Sequence, residues 1–252
     1  MHRRLDEYSS RYGHVAMSRS ADGVLEVRLH TNDGPLVWGD GPHTELARCF
    51  RDIADDADNR VVILTGTGDR FITKVDTSWV GEMTPPKWDK IYRNGKDLLG
   101  NLLDIPVPVV AAINGPAAVH AELAVVSDIT IAADHTYFQD APHFRFGTVP
   151  GDGVHIVWPR LIGPNRARHF LLTGRKIGAQ EALDLGIVNE VLAAPEALPR
   201  AQAVAAELAQ QPTLTLRYAR EVLVTDLRRA VHTDLGHGLA LEGLGAYASW
   251  PT

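Results

Sequence analysis

The stretch PVVAAINGPAAVHAELAVVSDITIAA, residues 108–133, decides the fold of this chain. It opens with a continuous apolar run, Pro108 to Ile113, which is typical of a strand buried on both faces. An Asn-Gly-Pro turn follows, and the next apolar segment, 120–126, suits a short buried helix. Residues 128–132 then predict a further strand. This order of strand, helix and strand predicts an α/β fold.

The same alternation of strands and helices continues toward the N-terminus. Val15 to Ser18 and Val24 to His30 alternate in polarity and flank the turn cluster 20–23, which predicts a β-hairpin. Residues 44–53 carry apolar side chains at helical spacing, which predicts a helix. Val61 to Leu64 form another continuous apolar run, and we expect a second buried strand there.

Beyond residue 154 the pattern is almost entirely helical, with one strand interrupting it. One further helix is predicted before residue 108, over 88–103. In the second half of the chain the predicted helices are 156–162, 165–172, 179–185, 198–209 and 214–250. The interrupting strand is Val188 to Leu192. There is no internal repeat, and Gln210-Gln211-Pro212 is the one plausible boundary. We therefore expect a core over residues 1–211 and a C-terminal helical region over residues 212–252.

The C-terminal helical region carries an apolar stripe at helical spacing, made of Leu223, Leu227, Ala230 and Val231. One interpretation is ordinary core, packed against the chain's own α/β part. The other is a contact between the subunits of an oligomer. The stripe alone leaves both open.

Composition and charge restrict the function classes. With 252 residues, 45% of them hydrophobic, the chain can build a full core, which excludes disordered, collagen-like and disulfide-stapled proteins. The net charge of −6 argues against binding to nucleic acid, which needs clustered Lys and Arg. No apolar run approaches the roughly 20 residues of a membrane span, and the N-terminus lacks the apolar core of a signal peptide. We expect a cytoplasmic protein with no membrane or nucleic-acid partner.

Most of the short catalytic motifs are missing from the sequence. The Gly-x-Gly of residues 65–69 lacks the third glycine of a dinucleotide fingerprint. There is no P-loop, serine-esterase elbow, Cys-x-x-Cys pair or His-Glu-x-x-His motif. Histidines and carboxylates are instead concentrated around turns in the middle of the chain: His120, Glu122, Asp140, His143, Asp152 and His155. We expect the chemistry to lie in this region.

Several segments resemble the crotonase (enoyl-CoA hydratase/isomerase) superfamily in order and spacing. They are Ala111 to Pro116, Glu122 to Ala124, Ser127 to Ile129, Gly147 to Gly153, Leu172 to Arg175, Ala179 to Leu183 and Gly186 to Val191. The resemblance covers most of the chain. It implies a spiral of β-β-α turns, an active site beneath two backbone N–H donors, and a C-terminal helical region that mediates trimers or dimers of trimers.

Two loops depart from the pattern of the coenzyme A-dependent members of that superfamily. The first, 71–76, lacks their Ala-Gly pair, and the second, 117–121, places His120 where a glycine would stand. Small residues in these loops let a thioester oxygen approach backbone N–H groups. Without them, the chain lacks much of the binding site expected for coenzyme A. Glu122 aligns with one hydratase acid, but His143 occupies the position of the other.

This combination is similar to the β-diketone hydrolases of the superfamily, the 6-oxocamphor hydrolase type. The resemblance implies that His143 and Asp152 activate water, that His120 contacts a substrate carbonyl, and that Glu242 is a further acid. It also implies that Trp38 contacts the substrate. Trp79 is assigned to substrate binding as well, although the neighbouring loop differs from the family pattern.

The implied reaction is a retro-Claisen cleavage of a cyclic 1,3-diketone to a keto acid. It needs a water nucleophile and a base, for which a histidine oriented by a carboxylate is suited. Because the second carbonyl lets the departing carbon leave as an enolate, no cofactor is obligatory, and we expect none. Residue types that bind metal ions are present, but their spacing along the chain matches no recognised metal-binding motif. We therefore expect no metal site.

Each of these residues also has an ordinary structural interpretation. By itself His143 could be a loop histidine and Asp152 a turn aspartate, while His120 and Trp38 could be core residues. Glu242 could be a solvated helix residue. Two other functions also stay open: an acyl-CoA hydratase or isomerase, which the retained Glu122 favours, and a catalytically silent scaffold that only binds partners.

Overall fold

The structure, a computed structural model, describes residues 4–76, 78–79 and 81–249. Over these ranges the chain forms ten strands and nine α-helices. The strands are β1 Val15–Arg19, β2 Val24–Leu29, β3 Leu36–Trp38, β4 Val61–Thr65, β5 Ile72–Val75, β6 Val109–Ile113, β7 Ile129–Ala133, β8 Tyr137–Phe138, β9 Ile177–Gly178 and β10 Glu190–Leu192. The helices are α1 Leu5–Tyr8, α2 Asp40–Asp55, α3 Pro85–Asp104, α4 Glu122–Val125, α5 Val154–Ile162, α6 Pro164–Thr173, α7 Ala179–Asp184, α8 Ala194–Leu208 and α9 Thr213–Ser249.

The main sheet has six strands in the order β1-β2-β4-β6-β7-β10. The predicted hairpin forms its antiparallel edge, and the remaining pairs are parallel. Both β4 and β6 are buried at every position, as their continuous apolar runs predict. Burying each Val, Leu or Ile side chain contributes about 1.5–3 kcal/mol, so these central strands anchor the core. The α/β prediction is confirmed.

A second, smaller layer of strands supports the loops that carry the histidines. In it β3 pairs with β5 and β8 pairs with β9, and Ala117 bridges Ile72 on one side and Phe138 on the other. The sequence did not predict β3, β5 or β9 as strands, since stretches of two to four residues show no clear alternation. This layer holds segment 117–121 between β5 and β8.

The C-terminal helix α9 packs against α3 and α5. Ala230 and Val231 are buried in the core and Leu227 packs against it, but Leu223 is 79% exposed. The predicted stripe is therefore part core and part exposed surface. Trp250, the predicted last residue of this helix, lies outside the described residues, and the division at residue 212 stays a prediction. No helix in the described part of the chain is long and apolar enough to cross a membrane.

Candidate active site

His120 occupies a backbone conformation that glycine normally takes. Its φ is 47°, in the left-handed region, which costs a side-chain-bearing residue about 1–2 kcal/mol. The turn is held because the N–H groups of Ala118 and Val119 both donate to the carbonyl of Ile72, at 2.8 and 3.2 Å. The chain thus keeps the glycine-type turn of the superfamily pattern but places an imidazole on it.

The imidazole of His120 lies against an aromatic wall. Its ring centroid is 4.0 Å from that of Trp38, and His43 lies 5.7 Å from Trp38 and 5.6 Å from Trp79. The indole N–H of Trp38 is buried and has no hydrogen-bond partner among the described residues, so it is available to a substrate oxygen. Burial lowers the pKa of His43 to about 3, and this ring is therefore a neutral part of the wall.

The Nδ1 atom of His120 faces two carboxylates. Its Nδ1 lies 2.6 Å from Glu122 Oε1 and 3.4 Å from Asp152 Oδ2. Burial opposes the charged imidazolium, but Glu122 and Asp152 together raise the pKa of His120. Burial also raises the pKa of Glu122, which is fully buried. Glu122 and His120 therefore form one buried acid–imidazole pair.

His143 lies between carboxylates on both ring nitrogens. Its Nδ1 is 2.5 Å from Asp140 Oδ1, and its Nε2 is 3.4 Å from Asp152 Oδ2 and 3.6 Å from Glu242 Oε1. Burial opposes the imidazolium, yet Asp152 and Asp140 together raise the pKa of His143 well above its ordinary value. Asp152, which the resemblance pairs with His143, thus lies near Nε2, and the shorter contact, at Nδ1, is with Asp140.

Asp152 connects the two histidines through a single oxygen. Burial would raise its pKa, but His143 and His120 outweigh burial and hold the pKa of Asp152 below its usual range. Glu242 contacts one histidine, His143, at 3.6 Å, whereas Asp152 contacts two. Burial raises the pKa of Glu242 to about 7, although His143 partly offsets the effect. The site thus combines a carboxylate that stays ionised with one that titrates near neutrality.

A backbone contact between two glycines sets the position of Asp152 relative to Glu242. A Cβ on Gly151 would lie 2.2 Å from the carbonyl oxygen of Gly238, and a Cβ on Gly238 would lie 2.4 Å from that of Gly151. Any larger residue would force the loop and α9 apart. Glu242 is one helical turn beyond Gly238. The contact between the two glycines therefore places the carboxylate of Glu242 close to Asp152, the residue that follows Gly151.

The predicted site residues converge, and the structure adds others. His120, His143, Asp152 and Glu242 form one buried cluster, Trp38 lines it, and Trp79 reaches it through His43. Asp140 and His43 were not assigned a role from the sequence. The sequence signal for Asp140 was its place among the histidines and carboxylates between residues 120 and 155, and this does not say which carboxylate pairs with which histidine. The signal for the glycine contact is the four glycines between residues 236 and 245, which a helix tolerates only for a reason such as close packing.

Two overlapping sets of side chains in the site could hold a metal ion. One is His120, Glu122 and Asp152, the other is His143, Asp152 and Glu242, and in each set the ligand atoms lie within 4.8 Å of one another. Nitrogen and carboxylate ligands of this kind suit zinc or iron. The expectation of a metal-free site stays a prediction.

The cluster lies beneath the surface. Three surface clefts of about 750, 720 and 510 Å³ are lined by residues other than the four clustered ones. The cleft of about 720 Å³ reaches the edge of the site, since Trp79 and Gly39, the neighbour of Trp38, line it. The site therefore borders this cleft on its Trp79 side.

Comparison with known proteins identifies the family. A model of the enoyl-CoA hydratase/isomerase family matches residues 21–240. The chain belongs to this family, the crotonase superfamily. The carnitinyl-CoA dehydratase of Proteus mirabilis (strain HI4320) is 34% identical over 200 residues, which cover 79% of this chain and 76% of that protein.

Two solved structures resemble the chain over nearly its whole length. A β-diketone hydrolase from the cyanobacterium Anabaena sp. PCC 7120, bound to (S)-3-oxocyclohexyl acetic acid, is 48% identical and has a TM-score of 0.94, covering 96% of this chain and 97% of that chain. An enoyl-CoA hydratase/isomerase from Mycobacterium paratuberculosis is 28% identical with a TM-score of 0.87, covering 93% and 94%. The crotonase fold is thereby confirmed.

Proposed function

We propose that this crotonase-superfamily protein is a β-diketone hydrolase, which cleaves a cyclic 1,3-diketone to a keto acid by a retro-Claisen reaction without a cofactor. One observation carries the proposal: the Nε2 atom of His143 faces Asp152 and Glu242 inside a cluster of buried side chains. These three groups can hold and deprotonate one water. The 48% identity to a β-diketone hydrolase supports the same reaction class.

In the first step the water oxygen forms a bond to one carbonyl carbon. Neutral His143 takes the water proton on Nε2, and the resulting imidazolium is stabilised by Asp152 and Asp140. The carbon–carbon bond then breaks, and its electron pair becomes the enolate of the second carbonyl. A proton delivered to the enolate carbon completes the keto acid, so no electrons leave the system and no redox cofactor is needed.

His120 and Trp38 are suited to the carbonyl that becomes the enolate. Although burial opposes the charged form, Glu122 and Asp152 at Nδ1 raise the pKa of His120 and favour its imidazolium, whose second N–H, at Nε2, can donate to a ligand. The stacked indole of Trp38 has a buried N–H without a partner among the described residues. Two donors of this kind bind the ground-state carbonyl and strengthen as negative charge develops on it.

Glu242 is the group we assign to proton delivery. Its pKa of about 7, raised by burial, keeps a large part of it protonated at neutral pH. Its Oε2 atom is buried without a partner among the described groups, so the carboxyl can turn one oxygen toward the substrate. A carboxyl that holds a proton near neutrality is a suitable acid for an enolate carbon.

The second candidate function is an acyl-CoA hydratase or isomerase, and the coenzyme A-dependent relatives favour it. Its best residue in the sequence is Glu122, one of the aligned hydratase acids. In this chain Glu122 is fully buried and bonded to His120 at 2.6 Å. A carboxylate engaged in that way is poorly placed to add water to a thioester.

A side-by-side assay separates the two reactions. The protein is incubated with a bicyclic 1,3-diketone and, separately, with crotonyl-CoA, and the loss of each absorbance is followed while calorimetry measures binding of coenzyme A. We expect diketone cleavage and no measurable affinity for coenzyme A. Tight coenzyme A binding with turnover of crotonyl-CoA alone would refute the diketone assignment.

We also propose that the protein assembles as a trimer or a dimer of trimers. Exposed apolar side chains occur along α9, namely Leu214, Tyr218, Val222, Leu223, Leu241, Leu244 and Tyr247. A monomeric protein rarely exposes so many large apolar residues to solvent on one helix. Light scattering at micromolar concentration should return a multiple of three chains, and a monomer mass would contradict the proposal.

A further inference from the structure

His143 contacts a carboxylate on each side, and the two contacts differ in length. The Nδ1 to Asp140 distance is 2.5 Å, whereas the Nε2 to Asp152 distance is 3.4 Å. An N–H···O hydrogen bond has its optimum near 2.9 Å and weakens beyond 3.2 Å. The bond to Asp140 is therefore the one that fixes the orientation of the ring.

The chain around Asp140 is built to hold this bond. Asp140 and His143 are three residues apart, and each is only 4% exposed. The N–H groups of Phe146 and Thr148 both donate to the carbonyl of His143, at 2.8 and 3.2 Å, which anchors its backbone. The N–H of Ala141 donates to Ala118 at 3.0 Å, which ties the Asp140 segment to the site.

Asp152 is placed differently. The same oxygen, Oδ2, lies 3.4 Å from Nδ1 of His120 and 3.4 Å from Nε2 of His143. A carboxylate at equal distance from two rings does not select the orientation of either one. It does face the nitrogen of His143 that takes the water proton, and its other oxygen is buried with no partner among the described atoms.

We propose that Asp140 is the positioning residue of His143, and that Asp152 is instead the carboxylate that faces the water and the imidazole nitrogen that deprotonates it. The catalytic consequence rests on the proposed diketone hydrolase activity. The positioning itself does not, because it concerns which ring nitrogen of His143 carries a proton in the free protein. Asp140 accepts from Nδ1–H, which leaves the Nε2 lone pair as the base.

If Asp140 positions His143, Asp140→Asn should lower the activity strongly, although it changes the size of the side chain very little. The amide can donate an N–H to Nδ1, which stabilises the tautomer with the proton on Nε2 and removes the base. Replacing an orienting aspartate by asparagine in an Asp–His–Ser triad lowers kcat about 10⁴-fold for this reason. We expect a kcat loss of about 10² to 10⁴-fold here, with KM changing less than about threefold.

Two further variants and a control sharpen the kinetic test. Asp140→Glu keeps an acceptor and should recover at least about tenfold in kcat over Asp140→Asn. Asp56→Asn removes another buried carboxylate, bonded to Tyr8 at 2.9 Å and to Arg19 at 2.7 Å, and should leave kcat and its pH profile unchanged. In Asp140→Asn the pH profile should move toward lower pH, since the pKa of His143 falls when a neighbouring negative charge is removed.

Histidine NMR of the free protein tests the positioning without any substrate. In the wild type, ¹⁵N spectra should show the His143 proton on Nδ1 when the ring is neutral, assigned by loss of the signal in His143→Gln. Asp140→Asn should move that proton to Nε2, and Asp152→Asn should not. If Asp152→Asn changes the tautomer and Asp140→Asn does not, the proposal is wrong, even where diketone cleavage is confirmed. If the tautomer shifts as expected but no diketone is cleaved, only the proposed function fails.

Discussion

The two histidines of the site each have a buried carboxylate at Nδ1 and share Asp152, but they differ in their remaining neighbour. His143 and His120 each place Nδ1 on a buried carboxylate, at 2.5 and 2.6 Å, and each lies 3.4 Å from Asp152. The remaining neighbour of His143 is the carboxyl of Glu242, whereas that of His120 is the indole face of Trp38. One imidazole thus faces proton-carrying groups, and the other faces an aromatic surface suited to a substrate. In the proposed reaction, the group on the remaining side of each ring, not the residue type, distinguishes the base from the group that binds the substrate.

The largest expected effect is on the His143 half of the site. Because it removes the base, His143→Ala should lower kcat by about 10² to 10⁴-fold. Asp152→Asn should lower it by a similar factor. The double variant should be little worse than either single variant, since the pair acts as a unit. Steady-state kinetics checks this, and near-wild-type turnover in either single variant would remove the distinction between the two histidines.

The pH dependence tests the neighbour that only His143 has. His143 must be neutral to act as a base, which requires a pH near or above its raised pKa, and Glu242 must be protonated to act as an acid, which requires a pH near or below about 7. The wild-type kcat/KM should therefore pass through a maximum. Glu242→Gln should lower the maximal rate by roughly 10²-fold and abolish the falling limb, leaving a rate that rises to a plateau. A falling limb that survives in this variant would show that Glu242 is not the acid.

A smaller effect is expected on the His120 half. Loss of a ground-state hydrogen bond to a carbonyl costs about 0.5–1.5 kcal/mol, so His120→Ala should raise KM for the diketone about 3- to 10-fold. The kcat should fall only modestly by comparison with His143→Ala. Trp38→Phe, which keeps the ring but loses the N–H, serves as the matched variant. An unchanged KM for every diketone tried would contradict a substrate contact for His120.

The smallest expected effect concerns stability. Because His120 has a φ of 47°, glycine fits its backbone and alanine does not. We expect His120→Gly to be more stable than His120→Ala by about 1 kcal/mol, which for a chain of this size is a difference in Tm of roughly 2–4 °C. Thermal unfolding of both variants measures it. Equal Tm values would show that the turn relaxes and stores no strain.

Most of the fold was predictable from the sequence because it follows from local pattern. The buried strands β4 and β6 show continuous apolar runs, and α2, α3 and α9 repeat apolar residues at helical spacing. The short strands β3 and β5 were not predicted, since their stability comes from neighbours distant in sequence. Leu223 matched the apolar period of α9 but is exposed, because period alone does not say which part of a long helix has a partner.

The sequence by itself determined the residue types of the site and the family to which the chain belongs. Only the tertiary structure decided which carboxylate pairs with which imidazole. Asp140 and Asp152 are both close to His143 along the chain, and their order gives no preference between them. The pairing depends on the position of Asp152, which lies 3.4 Å from the rings of both His120 and His143. It also depends on the contact of Gly151 with Gly238, which brings Glu242 close to Asp152. Hydrogen bonds depend on distances of a few tenths of an ångström, and packing between segments far apart in the chain sets those distances.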